Sequence, residues 1–114
     1  MLFRSTLSNA GHLSPYRNGE EVPCAAGLPL GLVAGAEYDE TGMQLNEGDT
    51  VTFLSDGVVE ARNAEGELFG FSRTREVSRL SAEKIAAAAQ GFGQDDDISV
   101  LTLSFSPAKV VAHA

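Results

Sequence analysis

The strongest constraint on this fold is a pair of strand-forming runs, each bordered by aspartate. They are Thr50-Val51-Thr52-Phe53-Leu54-Ser55 and Ile98-Ser99-Val100-Leu101-Thr102-Leu103-Ser104-Phe105. β-Branched and aromatic side chains suit a pleated, half-buried surface, and turn residues flank both runs. Asp56-Gly57 follows the first run, and Asp95-Asp96-Asp97 precedes the second. If the two strands are antiparallel neighbours, the end of one lies beside the start of the other. Asp56 and the acidic triplet then meet at one sheet edge. Carboxylates crowded within a few ångströms repel unless something neutralises them. A hard divalent cation does so, and Mg²⁺ or Mn²⁺ takes a few carboxylates plus waters. The same spacing also suits solvated turn carboxylates, and spacing alone does not choose between the two.

The remaining residues read as short elements separated by turns. Thr6 to Ser8 ends a strand that enters the turn Asn9-Ala10-Gly11-His12. Arg17-Asn18-Gly19-Glu20 is a hairpin signal, because Asn-Gly favours positive φ, and Glu21 to Cys24 is the returning strand. Ala25 to Gly35 is an apolar loop rich in Gly and Pro. Tyr38 to Leu45 reads as a strand, Asn46-Glu47-Gly48-Asp49 as a turn, and Asn63-Ala64-Glu65-Gly66 as a type I turn. Val58 to Ala61 is too short to assign. Phe71, Thr74, Val77 and Leu80 recur at helical spacing. A second helix starts at Ser81 as N-cap, with Glu83 at the positive end of its dipole, and stops at Gly91.

Composition narrows the function classes. With 8 Lys and Arg against 16 Asp and Glu, the net charge is -8. Phosphate backbones and anionic membrane surfaces require clustered bases, so neither nucleic acid nor membrane is an expected partner. The single cysteine, Cys24, excludes an internal disulfide framework. Its apolar surroundings, without a basic neighbour, suggest an inert thiol. The N-terminus lacks the apolar core of a signal peptide, and Ala25 to Ala36 falls short of the ~18 apolar residues of a membrane span. A cytoplasmic location is the expectation.

Three segments, in order, resemble the C-terminal half of PPM-type metal-dependent protein phosphatases. The branch is the bacterial one similar to stage II sporulation protein E (SpoIIE) and to stress-response phosphatases acting on anti-sigma-factor antagonists. They are Ser8-Asn9-Ala10-Gly11-His12, then Leu54-Ser55-Asp56-Gly57-Val58-Val59-Glu60-Ala61-Arg62-Asn63, then Gln94-Asp95-Asp96-Asp97-Ile98-Ser99-Val100. Gly27-Leu28-Pro29-Leu30-Gly31 and Gly66-Glu67-Leu68-Phe69-Gly70 also fit. The resemblance runs from Thr6 to Phe105. It implies an α+β fold, part of an αββα sandwich of two antiparallel sheets with helices outside. The expected domain covers residues 1–106, followed by a flexible tail at 107–114. It also implies hydrolysis of phosphoserine or phosphothreonine at two Mn²⁺ or Mg²⁺ ions. By resemblance Asp56 and Asp96 are catalytic metal ligands, Asp97 supports the metal site, and Asp95 is solvated. The implied substrate is a phosphoprotein such as an anti-sigma-factor antagonist.

Two departures qualify this resemblance. The family domain is roughly twice as long, and its N-terminal half carries a strand ending in Gly-Asp whose Asp bridges both metals. That strand is not found before Thr6. Only 23 residues separate Gly70 from Gln94, where the family has two longer helices. The expectations are a trimmed helical layer and a chain weak or inactive by itself. An exposed apolar face and free strand edges are also expected, with homo-oligomerisation or a need for the absent half-domain. The alternative is a catalytically inactive interaction or regulatory module. A third reading is a simple acidic cation-binding module. His12 and Asn9 read as local turn residues, with a proton shuttle at His12 as the sharper alternative.

Overall fold

The computed structural model describes residues 2–106 and 110–113. Strand β1 (Leu2–Leu7) pairs antiparallel with β4 (Thr41–Asn46), from Leu2 opposite Asn46 to Leu7 opposite Thr41. The second sheet is also antiparallel. It contains β2 (Tyr16–Arg17), β3 (Glu20–Glu21), β5 (Thr50–Leu54), β6 (Val100–Phe105) and β7 (Val110–His113), in the order β3-β2-β5-β6-β7. Three helices complete the fold: α1 (Asp56–Val59), α2 (Gly70–Val77) and α3 (Ala82–Gly93). The fold is therefore α+β with two antiparallel sheets, as expected.

The Asn-Gly signal forms the tight β2–β3 turn, with φ of 51° at Asn18 and 83° at Gly19. The returning strand is only Glu20–Glu21, shorter than the sequence suggests. The Asn46–Asp49 turn is closed by Asp49 N–H donating to the Asn46 carbonyl at 2.9 Å. It does not make a hairpin. β4 enters the two-stranded sheet and β5 the five-stranded one, so this turn carries the chain from one layer to the other.

Alternation along β5 assigns its faces. Val51 and Phe53 face the two-stranded sheet, where Val51 joins Met43, Leu45 and Phe105 in one core. Thr52 and Leu54 face the helices, where Leu54 joins Val58, Phe69, Ile85 and Ala89 in a second core. Ile85 is fully buried, which is worth about 1.5–3 kcal/mol relative to exposure. Thr52 Oγ1 donates to the Ser78 carbonyl at 3.0 Å, tying the end of α2 to the sheet. Ser81 caps α3, its Oγ accepting from Lys84 N–H at 3.3 Å, and the helix continues to Gly93 rather than stopping at Gly91.

Several expectations need correction. The unassigned Val58–Ala61 region begins in α1, because apolar Val58 and Val59 turn inward against α3. Phe71 and Leu80, at helical spacing with Thr74 and Val77, are exposed; Thr74 is the buried residue of α2. Of the tail that starts at Pro107, residues 107–109 and 114 lie outside the described residues, and residues 110–113 pair with β6 as β7, Phe105 opposite Val110. In the two-stranded sheet the register places Arg4 opposite Gln44 and Thr6 opposite Gly42, and all four are exposed. Among the described residues no helix is long and apolar enough to cross a membrane.

Candidate functional site

β5 and β6 are antiparallel neighbours, with Leu54 opposite Val100. The ladder continues one step beyond the strands through a serine clasp. Ser55 N–H donates to the Ser99 carbonyl at 2.9 Å, and Ser99 N–H donates to Ser55 Oγ at 2.9 Å. The clasp holds the residue before Asp56 against the residue two after Asp97. Gly57 makes the next contact. A Cβ at Gly57 would overlap the Asp97 carbonyl oxygen and come within 3.4 Å of the Asp96 carbonyl oxygen. Only a residue without a side chain lets the start of α1 lie this close to the acidic loop. The Asp56 and Asp96–Asp97 segments thus share one end of the β5–β6 pair.

The oxygens of these aspartates are committed unequally. Asp96 Oδ1 accepts from Asp97 N–H at 2.7 Å, and Gln94 Nε2 donates to the Asp96 carbonyl at 3.2 Å. The Asp56 carboxylate accepts no hydrogen bond among the described residues. Asp56, Asp95, Asp96 and Asp97 are all exposed. The start of the acidic loop is fixed independently, by Arg62 N–H donating to the Gly93 carbonyl at 2.7 Å. Arg73 braces the same region. Its guanidinium donates to the Leu68 and Phe69 carbonyls at 2.7 and 3.2 Å and lies 4.6 Å from the Phe92 ring centroid.

His12 borders a cavity of about 300 Å³ with Phe53, Ser55, Ser99 and Leu101, at the same end of the sheet. Asn9, buried, shapes its turn. Asn9 Oδ1 accepts from His12 N–H at 2.7 Å, and Asn9 Nδ2 donates to the His12 carbonyl at 2.8 Å. Cys24 is half-buried beside this turn, its thiol 3.6 Å from Ser14 Oγ. The clasp residues Ser55 and Ser99 and the close approach at Gly57 were not singled out from sequence. The signal for Gly57 was present, but Asp-Gly after a strand is usually just a turn.

Exposed carboxylate oxygens are the donor chemistry of a hard divalent cation. Among the described residues, however, no group of three or more His, Cys, Asp or Glu is arranged to hold a metal. The donors fit in kind and fall short in number.

Architecture and edge together define an α+β sandwich whose paired central strands carry acidic turns at one end. The chain belongs to the stage II sporulation protein E (SpoIIE) family, whose sequence profile matches residues 3–106. Its fold is similar to a crystal structure of the RsbU and RsbW domains of Rv1364c from Mycobacterium tuberculosis. The TM-score is 0.63 at 24% identity, over 87% of this chain and 31% of that one. At that identity the likeness is one of fold. No curated protein matches the chain.

Proposed function

We propose that the chain supplies part of the metal-binding edge of a PPM-type phosphoserine or phosphothreonine phosphatase. Asp56 and Asp96 are the ligands, and Asp97 supports them. The observation that carries this reading is the interlock of Gly57 with the Asp97 carbonyl, braced by the Ser55–Ser99 clasp. It fixes two acidic turns against each other, where solvated loops would be free to splay apart. Bound Mn²⁺ or Mg²⁺ ions supply an activated water and a clamp for phosphoryl oxygens. The chain's own part is positional. The clasp sets the distance between the two turns, the Asp97 amide orients the Asp96 carboxylate, and Asp56 keeps its oxygens uncommitted.

The remaining ligands come from another segment of a longer protein or from another chain. Family membership supports a substrate in sporulation or stress signalling, such as a phosphorylated anti-sigma-factor antagonist. The neighbour that pairs RsbU and RsbW domains supports a partner from the same kind of pathway. The test is Mn²⁺ titration followed by paramagnetic broadening of backbone amides. Simultaneous broadening at Asp56-Gly57 and at Asp96-Asp97, lost in Asp56→Asn, is expected. Broadening at only one of the two segments overturns the shared edge. With an aryl phosphate and Mn²⁺, the 114-residue chain alone is expected to turn over little.

A second reading is an inactive interaction or regulatory module. The incomplete donor count among the described residues favours it. It predicts no broadening at either segment.

A further inference from the structure

The largest cavity described, about 620 Å³, lies at the other end of the β5–β6 pair, between the five-stranded sheet and the start of α3. That volume is typical of a small-molecule site. The register puts Thr50 opposite Ser104 and Thr52 opposite Thr102, so one face of the sheet carries four hydroxyls in adjacent pairs. Thr52 spends its hydroxyl on the Ser78 carbonyl. Thr50, Thr102 and Ser104 line the cavity. Thr102 is 4% exposed and its hydroxyl makes no hydrogen bond to the described residues, but no buried side-chain polar atom among them lacks a partner, so this hydroxyl opens onto the cavity. An accessible hydroxyl on a cavity wall can both donate to and accept from a ligand.

The opposite wall carries one cationic and one anionic side chain, Arg79 and Glu83. Arg79 lines it and, in a chain of net charge -8, has no ion-pair partner among the described residues. Its side chain lies across Gly19 so closely that a Cβ there would overlap Nε, which ties the guanidinium stem to the β2–β3 turn. Ser81 and Ala82 bring the N-terminus of the 12-residue α3 to the same wall. The first N–H groups of a helix have no intrahelical acceptor, and the helix dipole favours negative charge there. His113 lines the cavity from β7. Glu83 also borders the cavity and selects against a second anionic group.

We propose that this cavity binds a small phosphate-bearing molecule. Its single anionic group sits between Arg79 and the start of α3, and its hydroxyl groups meet Thr50, Thr102 and Ser104. Arg79 matches phosphate with two parallel donors, and side-chain hydroxyls both donate to and accept from a polyol. The site is separate from the acidic edge and does not depend on the function proposed there.

The test is titration of the full 114-residue chain with ribose 5-phosphate, followed by amide chemical shifts. Saturable shifts at Ala82, Glu83, Lys84 and Thr102 are expected. Arg79→Gln should weaken binding roughly tenfold or more, because a charge-assisted contact is lost. Thr102→Val should weaken it several-fold while leaving the ligand-free unfolding midpoint unchanged or raised, since a methyl replaces an unpartnered hydroxyl. Inorganic phosphate should shift the Ala82–Lys84 amides with lower affinity. The proposal is overturned if these amides do not move, if Arg79→Gln binds as well as the parent, or if sodium chloride at equal ionic strength gives the same shifts. Shifts confined to Asp56 and Asp96–Asp97 also overturn it, by placing the phosphate at the acidic edge.

Discussion

Asp49 and Asp56 flank the same strand, β5, and use their oxygens in opposite ways. Asp49 Oδ2 accepts from Asn46 N–H at 2.7 Å and Oδ1 from Asn18 Nδ2 at 2.9 Å. Asn18 Oδ1 in turn accepts from Thr50 N–H at 3.0 Å, so Asp49 joins the β2–β3 hairpin to the turn between the two sheets. These bonds, the Asn46 amide first and Asn18 second, hold the Asp49 carboxyl below the usual carboxylate range. Asp56, at the far end of β5, builds nothing with its side chain. A carboxylate that constructs a turn has its lone pairs occupied; one that the fold positions through its neighbours keeps them available. Seven residues of extended chain place the two on the order of 20 Å apart. That exceeds the Debye length at physiological salt, so charges at the two ends are largely screened from each other.

The largest effect expected bears on how the functional end is held. Gly57→Ala should destabilise the chain by about 3 kcal/mol in urea unfolding, because the new methyl overlaps the Asp97 carbonyl. A near-neutral Gly57→Ala would mean that the acidic loop is not seated on α1. Next, Asp49→Ala should cost about 1–2 kcal/mol by the same measurement, from the loss of two hydrogen bonds and the orphaning of their donors.

The Asp49 effect carries a pH signature. A carboxyl whose folded pKa is depressed contributes fully above its unfolded pKa and loses that contribution as pH falls through the folded value. Unfolding midpoints measured as pH is lowered through the carboxylate range should therefore fall more steeply for the parent than for Asp49→Asn. Equal slopes would erase the contrast between the two ends. Ser55→Ala should cost about 1 kcal/mol, leaving the Ser99 amide without its acceptor. The smallest effect is at Asp56→Asn, within about 0.5 kcal/mol of the parent, since no hydrogen bond is lost. A large loss of stability there would show that Asp56 is structural after all.

The legible parts of the fold were those where local chemistry decides. Thr50–Ser55 and Ile98–Phe105 read as strands because their composition suits little else. Asn18-Gly19 read as a hairpin turn because few other residues accept positive φ, and Ser81 read as a cap. The divergence of β4 and β5 into separate sheets was not legible. Asn46–Asp49 has the composition of any tight turn, and only the packing of Met43 and Leu45 against Val51 and Phe105 decides where each strand goes. The buried face of α2 was equally hidden, since periodicity marks a face without saying that Thr74 goes inward and Phe71 outward. In the site, strand direction and aspartate placement brought Asp56 and Asp96–Asp97 to one end. What holds them there is invisible in one dimension, because the Gly57–Asp97 contact joins residues some forty positions apart.

The strand register also governs how the chain can come together in time. Leu2 pairs with Asn46 and Thr50 with Ser104, so the two-stranded sheet waits for residue 46 and the β5–β6 pairing for nearly the whole chain. The β2–β3 hairpin, with Tyr16 opposite Glu21, is the only pairing joined by a tight turn among those with a described connection. Distant pairings pay loop-closure entropy before they gain contacts, which slows folding. During synthesis β5 emerges long before its partner β6. Until then β5 has only the short β2 beside it, at Val51 and Thr52, and its other edge, with Val51, Phe53 and Leu54, stays open.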